Sequence, residues 1–221
     1  NPVFVDATGG DFRLAASSPV IDQGVVIPGV NTDYTGTAPD PGAYETTSTF
    51  SYLFFDDFED GISTGWTYKK GTWLEAGGEL RGTTSRKSDD IATSFTAGCT
   101  TCTVEAYMRV EPGARASLLA WYVDKRNLVE LLMAEDRNKW ILKQKVSGKV
   151  VAKKSVVGSI GPNVDYKARI TYDGSQFHVS VNDLPIMDLT PGAIPSGAVG
   201  FRVKSLTHLD QTAAFLQIAV W

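Results

Sequence analysis

The sequence predicts an all-β protein, an antiparallel β-sandwich preceded by a short stretch of different build. Three observations carry this. From residue 52 onward, strand-length runs recur every ~8–12 residues between Gly, Asp and Asn turns, and no segment has a helical period. A hydrophobic content of 43% with 21 glycines and 10 prolines suits a turn-rich globular chain. Residues 1–46 instead hold short apolar bursts (Val3-Phe4-Val5, Phe12, Leu14, Val20-Ile21) broken by Asp, Gly and Ser-Pro. That punctuation reads as the end of a solenoid, with 47–51 as a polar linker and 52–221 as the sandwich.

Bulk properties narrow the function. The 221-residue chain has no apolar run near the ~20 residues that span a bilayer, so no membrane partner is expected. A formal net charge of −4 argues against non-specific nucleic-acid binding, which needs a positive footprint. The chain opens on Asn1 rather than Met, which reads as a processed or trimmed end.

In the first segment, the order NPVFVD, GGDFRLAASSPVIDQG and PDPGAYE resembles the closing coils of secreted bacterial right-handed parallel β-helix repeat proteins. The resemblance covers Asn1 to Glu45. It implies a remnant of the last coils of a parallel β-helix, an upstream β-helix domain of the same protein as partner, and a secreted or cell-surface location. Many such β-helices are polysaccharide lyases or hydrolases whose catalytic residues sit on earlier coils, so none transfers to these residues.

Next comes an acidic turn. Asp56, Asp57, Glu59 and Asp60 place four carboxylates in five residues. Such a turn supplies part of a calcium shell, which takes about six to eight oxygens, or is a solvated turn closed by Gly61. Cys99 and Cys102 follow in AGCTTCTVEA, a C-x-x-C at a strand entrance rather than at a helix start. A small-loop disulfide, two free thiols and half of a zinc site are the alternatives. His178 and His208 are lone residues without ligand spacing, which disfavours the metal.

From Leu53 to Trp221 the runs FFDDFEDG, GGELRG, ASLLAWYVDKRNLVELLM, GAVGFRVKS and AAFLQIAVW are similar to laminin-G-like, concanavalin A-like jelly rolls. That resemblance implies that the first and last strands pair, with Phe54–Phe58 beside Phe215–Val220. Relatives often carry paired aspartates in the last strand, where this chain reads Phe215-Leu216-Gln217, and the departure weakens the calcium reading. Such domains are appended to secreted carbohydrate enzymes and cell-surface proteins.

The meander Ala116–Ser155 holds the chemistry. Alternation in Thr103–Val110 turns Glu105, Tyr107 and Arg109 away from Val104, Ala106, Met108 and Val110. The same rule sets Trp121 opposite Ala116, Leu118, Ala120 and Tyr122, and Glu130 opposite Val129, Leu131 and Met133. The Ser147-Gly148 turn pairs Val146 with Lys149, Lys145 with Val150, Gln144 with Val151 and Lys143 with Ala152. From Arg137 to Lys154 the chain has seven Lys or Arg and no Asp or Glu.

Tyr107, Arg109, Trp121, Glu130, Lys143 and Lys145 are therefore the candidate carbohydrate-binding residues, an aromatic and basic face suited to an acidic, uronate-containing polysaccharide. The plainer alternative is a Trp121 packed under a loop and an ordinary wet surface. Glycosidases need two carboxylates flanking one cleft, and Glu130 and Glu105 each lack an acidic partner at i+2 or i+4. The expected function is thus a non-catalytic carbohydrate-binding module. A structural or adhesive module without a sugar ligand is the alternative, and a polysaccharide-degrading enzyme a more distant one. If Cys99 and Cys102 are crosslinked, thiol titration of the denatured, unreduced protein finds no free thiol; two would overturn the pairing.

Overall fold

Alternating apolar residues give each strand one face for burial, and two sheets meet along those faces. The computed structural model describes residues 2–15, 18, 20–27, 30–31, 34–42, 44–45, 53–59, 61, 65–84, 89–93, 101–193, 197–205 and 210–221. The chain divides into two units, Asn1–Ser51 and Tyr52–Trp221.

The first unit holds β1 (Phe4–Asp6) and β2 (Asp11–Leu14), which pair antiparallel. Stacked solenoid coils would pair in parallel, and the described residues contain no parallel ladder, so the expected β-helix remnant is not seen. The motifs of this segment instead lock to each other. Asp40 of PDPG accepts the Asp22 N–H at 2.8 Å, and Glu45 accepts the Asp40 N–H at 3.1 Å. Gly24 donates its N–H to the Pro39 carbonyl at 2.7 Å. A Cβ on Gly24 would sit 2.3 Å from that same oxygen, so this backbone approach requires glycine.

The second unit is the sandwich. Its early strands are short: β3 (Phe54–Asp56), β4 (Thr67–Lys69), β5 (Thr72–Glu75), β6 (Leu80–Thr84) and β7 (Asp89–Thr93). The middle of the chain supplies β8 (Thr103–Val110), β9 (Ala114–Asp124), β10 (Asn127–Ala134), β11 (Lys139–Val146) and β12 (Lys149–Val157). The rest is β13 (Tyr166–Tyr172), β14 (Phe177–Val181), β15 (Leu184–Leu189), β16 (Ala198–Ser205) and β17 (Gln211–Val220).

Seven strands form one sheet in the order β12-β11-β10-β9-β16-β7-β4. Eight form the other, seven of them in the order β15-β14-β13-β8-β17-β6-β5 with β3 off that path, and every pairing is antiparallel. β3 pairs with β17, setting Asp56 against Ile218 and Phe54 against Val220, as the resemblance implied.

Between the sheets lie Val104, Ala106 and Met108 of β8, Leu118 of β9, Leu131 of β10, Leu142 of β11, Phe201 of β16 and Phe215 of β17. The hairpin at Ser147-Gly148 has φ of 50° and 84°, the two positive values that match strand twist in a two-residue turn. Asn182-Asp183, with 50° and 62°, closes β14 onto β15 in the same way.

Two registers differ from the simple count, for one reason. At the β11–β12 hairpin, Lys145 pairs with Val150 but Gln144 pairs with Ala152 and Lys143 with Lys153. A bulge at Val151 adds one residue to β12, so Lys153 rather than Lys154 shares the face of Lys143. In β9, Leu119 pairs with Gly200 and Tyr122 with Ala198, so Ala120 and Trp121 together oppose the single Val199. Because the sandwich has its own core, a chain of residues 52–221 should fold without the first unit. A cooperative thermal transition with an antiparallel β circular-dichroism spectrum is the expected result, and an unfolded product would overturn the two-unit division.

Candidate functional site

The six predicted binding residues separate into three places. Tyr107 and Arg109 lie on the outer face of the eight-stranded sheet, Tyr107 opposite Lys167 and Gln217. Glu130, Lys143 and Lys145 lie on the outer face of the seven-stranded sheet, with Glu130 directly opposite Lys143. Trp121 is in the core, 1% exposed, 5.3 Å from the Phe177 ring and edge-on to Tyr172 at 6.1 Å. The β9 bulge is the cause: Trp121 takes a left-handed φ of 47°, the alternation skips a beat, and Tyr122 turns outward in its place. Trp121 therefore forms no open aromatic platform.

The two outer faces differ in electrostatics. On the eight-stranded sheet each of the following cations is matched to carboxylates. Arg109 contacts Glu79 and also Asp165, and Arg81 contacts Glu79 and Glu111. Arg169 and Lys167 share Glu105 and Asp183, with Arg169 also 5.8 Å from the Trp221 ring. His178, far from being without partners, sits between Asp173 at 2.9 Å and Asp188 at 2.8 Å. Those two hydrogen bonds, Asp173 first, raise the His178 pKa, while backbone N–H donors from Gln176 and then the imidazole lower that of Asp173.

On the seven-stranded sheet the outward cations outnumber the carboxylates seen to pair with them among the described residues. By register and alternation, Lys69, Arg115, Lys139, Lys143, Lys145, Lys153, Arg202 and Lys204 face outward. The described carboxylates paired with them are Asp136 and Glu130. Arg115 holds Asp136 through Nε at 2.7 Å and Nη2 at 2.6 Å, and that side-chain bond keeps Asp136 below the usual carboxylate range. Lys139, Lys145 and Lys153, with Lys149 and Lys154 of the same hairpin, make no ion pair among the described residues. Beside them Ile91, Leu119, Tyr122 and Leu128 form a small apolar cluster, with the Lys69 ammonium 5.4 Å from the Tyr122 ring.

Glu130 sits at the centre of this face and is 1% exposed. Ser117 Oγ donates to its Oε1 at 2.7 Å, Arg202 Nη1 donates to the same atom at 2.9 Å, and Lys143 Nζ lies 2.6 Å from Oε2. Burial would push its pKa up, but the Arg202 and Lys143 charges and the bonds from Lys143 and Ser117 outweigh it and hold the carboxyl low. A glycosidase acid needs the opposite, a raised pKa and a second carboxylate across the cleft. Glu130 is chemically an ion-pair centre.

The other candidates have local uses. Asp56 accepts the Phe58 N–H at 2.9 Å and the Trp66 indole N–H at 2.6 Å, and Asp57 accepts the Glu59 N–H at 3.3 Å. Among the described residues no three His, Cys, Asp or Glu converge to hold a metal, and Asp60, the fourth carboxylate of the turn, lies outside them. Cys102 is buried and no free cysteine is described, while Cys99 and His208 lie outside the described residues. Sequence reasoning missed Ser117, Arg115, Asp136 and Arg202. Alternation in AVGFRVKS does turn Arg202 away from Phe201 and Val203, but the β9–β16 pairing that brings it to Glu130 has no local signal.

No family model and no curated protein sequence matches the chain. Solved structures do, at low identity. The carbohydrate binding module CBM66 from Bacillus subtilis superposes with a TM-score of 0.57 at 19% identity, covering 69% of this chain and 92% of its own. The Bacillus licheniformis β-glucanase gives 0.59 at 14%, covering 76% and 96%. The Emp47p carbohydrate recognition domain also gives 0.59 at 14%, covering 79% and 98%. At these identities the likeness establishes the jelly-roll fold.

Replacing Glu130 with Gln should destabilise the sandwich by about 3–5 kcal/mol in denaturant titrations, because two partly buried cations lose their shared partner. A depressed carboxyl contributes stability above its unfolded pKa of about 4.3 and loses it as pH falls through the folded value. The wild type should therefore lose part of its margin over Glu130→Gln in acid. An unchanged midpoint at neutral pH would show that the pair network is energetically idle.

Proposed function

We propose that the sandwich is a non-catalytic carbohydrate-binding module for an acidic polysaccharide, held on the outer face of the seven-stranded sheet. The observation that carries this is the charge difference between the two faces. Lys139, Lys145 and Lys153 of the seven-stranded face make no ion pair among the described residues, whereas Arg81, Arg109, Lys167 and Arg169 of the eight-stranded face are each held by carboxylates. Cations left in this way in an acidic chain make a local field that draws a polyanion. The fold agrees with that use, since it is shared with a carbohydrate-binding module, a β-glucanase and a carbohydrate recognition domain. Uronate chains fit because their repeated carboxylates match loosely spaced ammonium groups.

Association with an upstream β-helix of the same protein, and export from the cell, are further proposals that rest on the motifs of residues 1–45 alone. The Cys99–Cys102 crosslink belongs with them, as it suits an oxidising exterior. The second reading is structural. β12 is the edge of its sheet, and Lys149, Lys153 and Lys154 along it would discourage pairing with another strand.

Affinity electrophoresis in gels carrying alginate, pectate or a neutral glucan separates the two readings. Each exposed pair contributes only about 0–1 kcal/mol and is screened, so retardation by the uronates should fade with salt. It should also be lost in a Lys145→Glu/Lys153→Glu variant. Equal mobility in all three gels would discard the acidic-glycan reading in favour of the structural one.

A further inference from the structure

Three arginines in this protein take a carboxylate by the same edge. Arg13 presents Nε and Nη2 to Asp11 at 2.9 and 2.6 Å. Arg115 presents the same edge to Asp136 at 2.7 and 2.6 Å, and Arg169 presents it to Glu105 at 2.7 and 2.6 Å. Arg202 is different. It is 7% exposed, its Nη1 is bound to Glu130 at 2.9 Å, and its buried Nε has no hydrogen-bond partner among the described residues. A guanidinium cannot shed its charge, so that N–H is a permanent donor in a desolvated place.

The guanidinium is also held still. Glu130 grips it from the Nη1 side, and Ser117 and Lys143 fix Glu130 in turn. The local charge is uneven, with two cations on one carboxylate. A second carboxylate at the Nε–Nη2 edge would satisfy the donor and balance the cluster. The Lys143 side chain, 21% exposed, and the Arg202 side chain, 8% exposed, are the members of the cluster that reach solvent.

We propose that the Nε–Nη2 edge of Arg202 is the carboxylate-binding position of the acidic-glycan face, with Glu130 as the positioning residue that holds the guanidinium and Lys143 as the second cation beside it. This rests on the reading of that face as a glycan surface and adds the group that gives it selectivity. Surface lysines attract any polyanion, whereas a planar fork matches a planar carboxylate in two parallel hydrogen bonds. A neutral hexose offers hydroxyls only and cannot pair with both donors and cancel the charge.

The test is a titration of the full chain with trigalacturonate, followed by proton–nitrogen spectra of the arginine Nε–H groups assigned in the wild type. The Arg202 signal should shift along the same saturation curve as backbone amides of β9 and β16, while those of Arg13, Arg115 and Arg169 stay in place. Maltotriose should leave it unmoved. In calorimetry, Arg202→Lys should weaken trigalacturonate binding about tenfold or more, since Lys keeps the charge but loses the fork. Lys153→Gln should weaken it about threefold or less, as for an exposed ion pair. If trigalacturonate binds but the Arg202 signal stays still, the fork is not the anchor, while the acidic-glycan reading survives. If no uronate binds at all, both fall.

Discussion

Phe201 of β16 and Phe215 of β17 lie ring on ring with centroids 3.9 Å apart and planes within 15°, one ring from each sheet. Trp66 continues the stack on Phe201 at 5.7 Å and 8°, and Trp73 on Phe215 at 6.3 Å and 26°. Aromatic pairs in such contact contribute beyond their buried area, and here they sit where consecutive strands cross from one sheet to the other. The contact also sets phase. With Phe201 pointed inward, Arg202 must point outward, because side chains alternate along a strand. The polar centre on the far side of the sheet is thus a consequence of packing in the core.

Much of this was legible in the chain. Alternation in β8 and β10 places Val104, Ala106, Met108, Val129, Leu131 and Met133 inside as read, and the Ser147-Gly148 hairpin starts in the expected register. Pairing of the first and last strands followed from resemblance. Two of the failures had one extra residue as their cause. Bulges at Trp121 and Val151 shift the phase locally, and a two-residue period has no means of announcing an insertion. The solenoid reading of residues 1–46 rested on punctuation and on a resemblance in motif order, and neither specifies strand pairing; the ladder seen among the described residues is the antiparallel β1–β2 pair.

The candidate site was half legible for a different reason. Lys143, Lys145 and Glu130 are close in sequence and land on one face. Arg202 reaches Glu130 across 72 residues, through a strand pairing that no local pattern encodes. Charge partners of the other face are similarly remote, such as Arg109 with Asp165 and Arg169 with Glu105. Composition reveals a basic hairpin, but only the topology reveals which cations are already spoken for.

The unequal faces have a consequence for how the molecule moves. Carboxylate-held cations on one side and surplus ammonium groups on the other give the sandwich an electric asymmetry along its thin axis. Near a polyanionic fibre or wall such a body experiences a torque before it experiences contact, over a range set by the Debye length, about 8 Å in physiological salt. It would arrive with β11 and β12 leading and the His178 side trailing. Rotational search, usually the slow part of finding a patch, is then shortened by the field itself, and more so in dilute brine than in seawater.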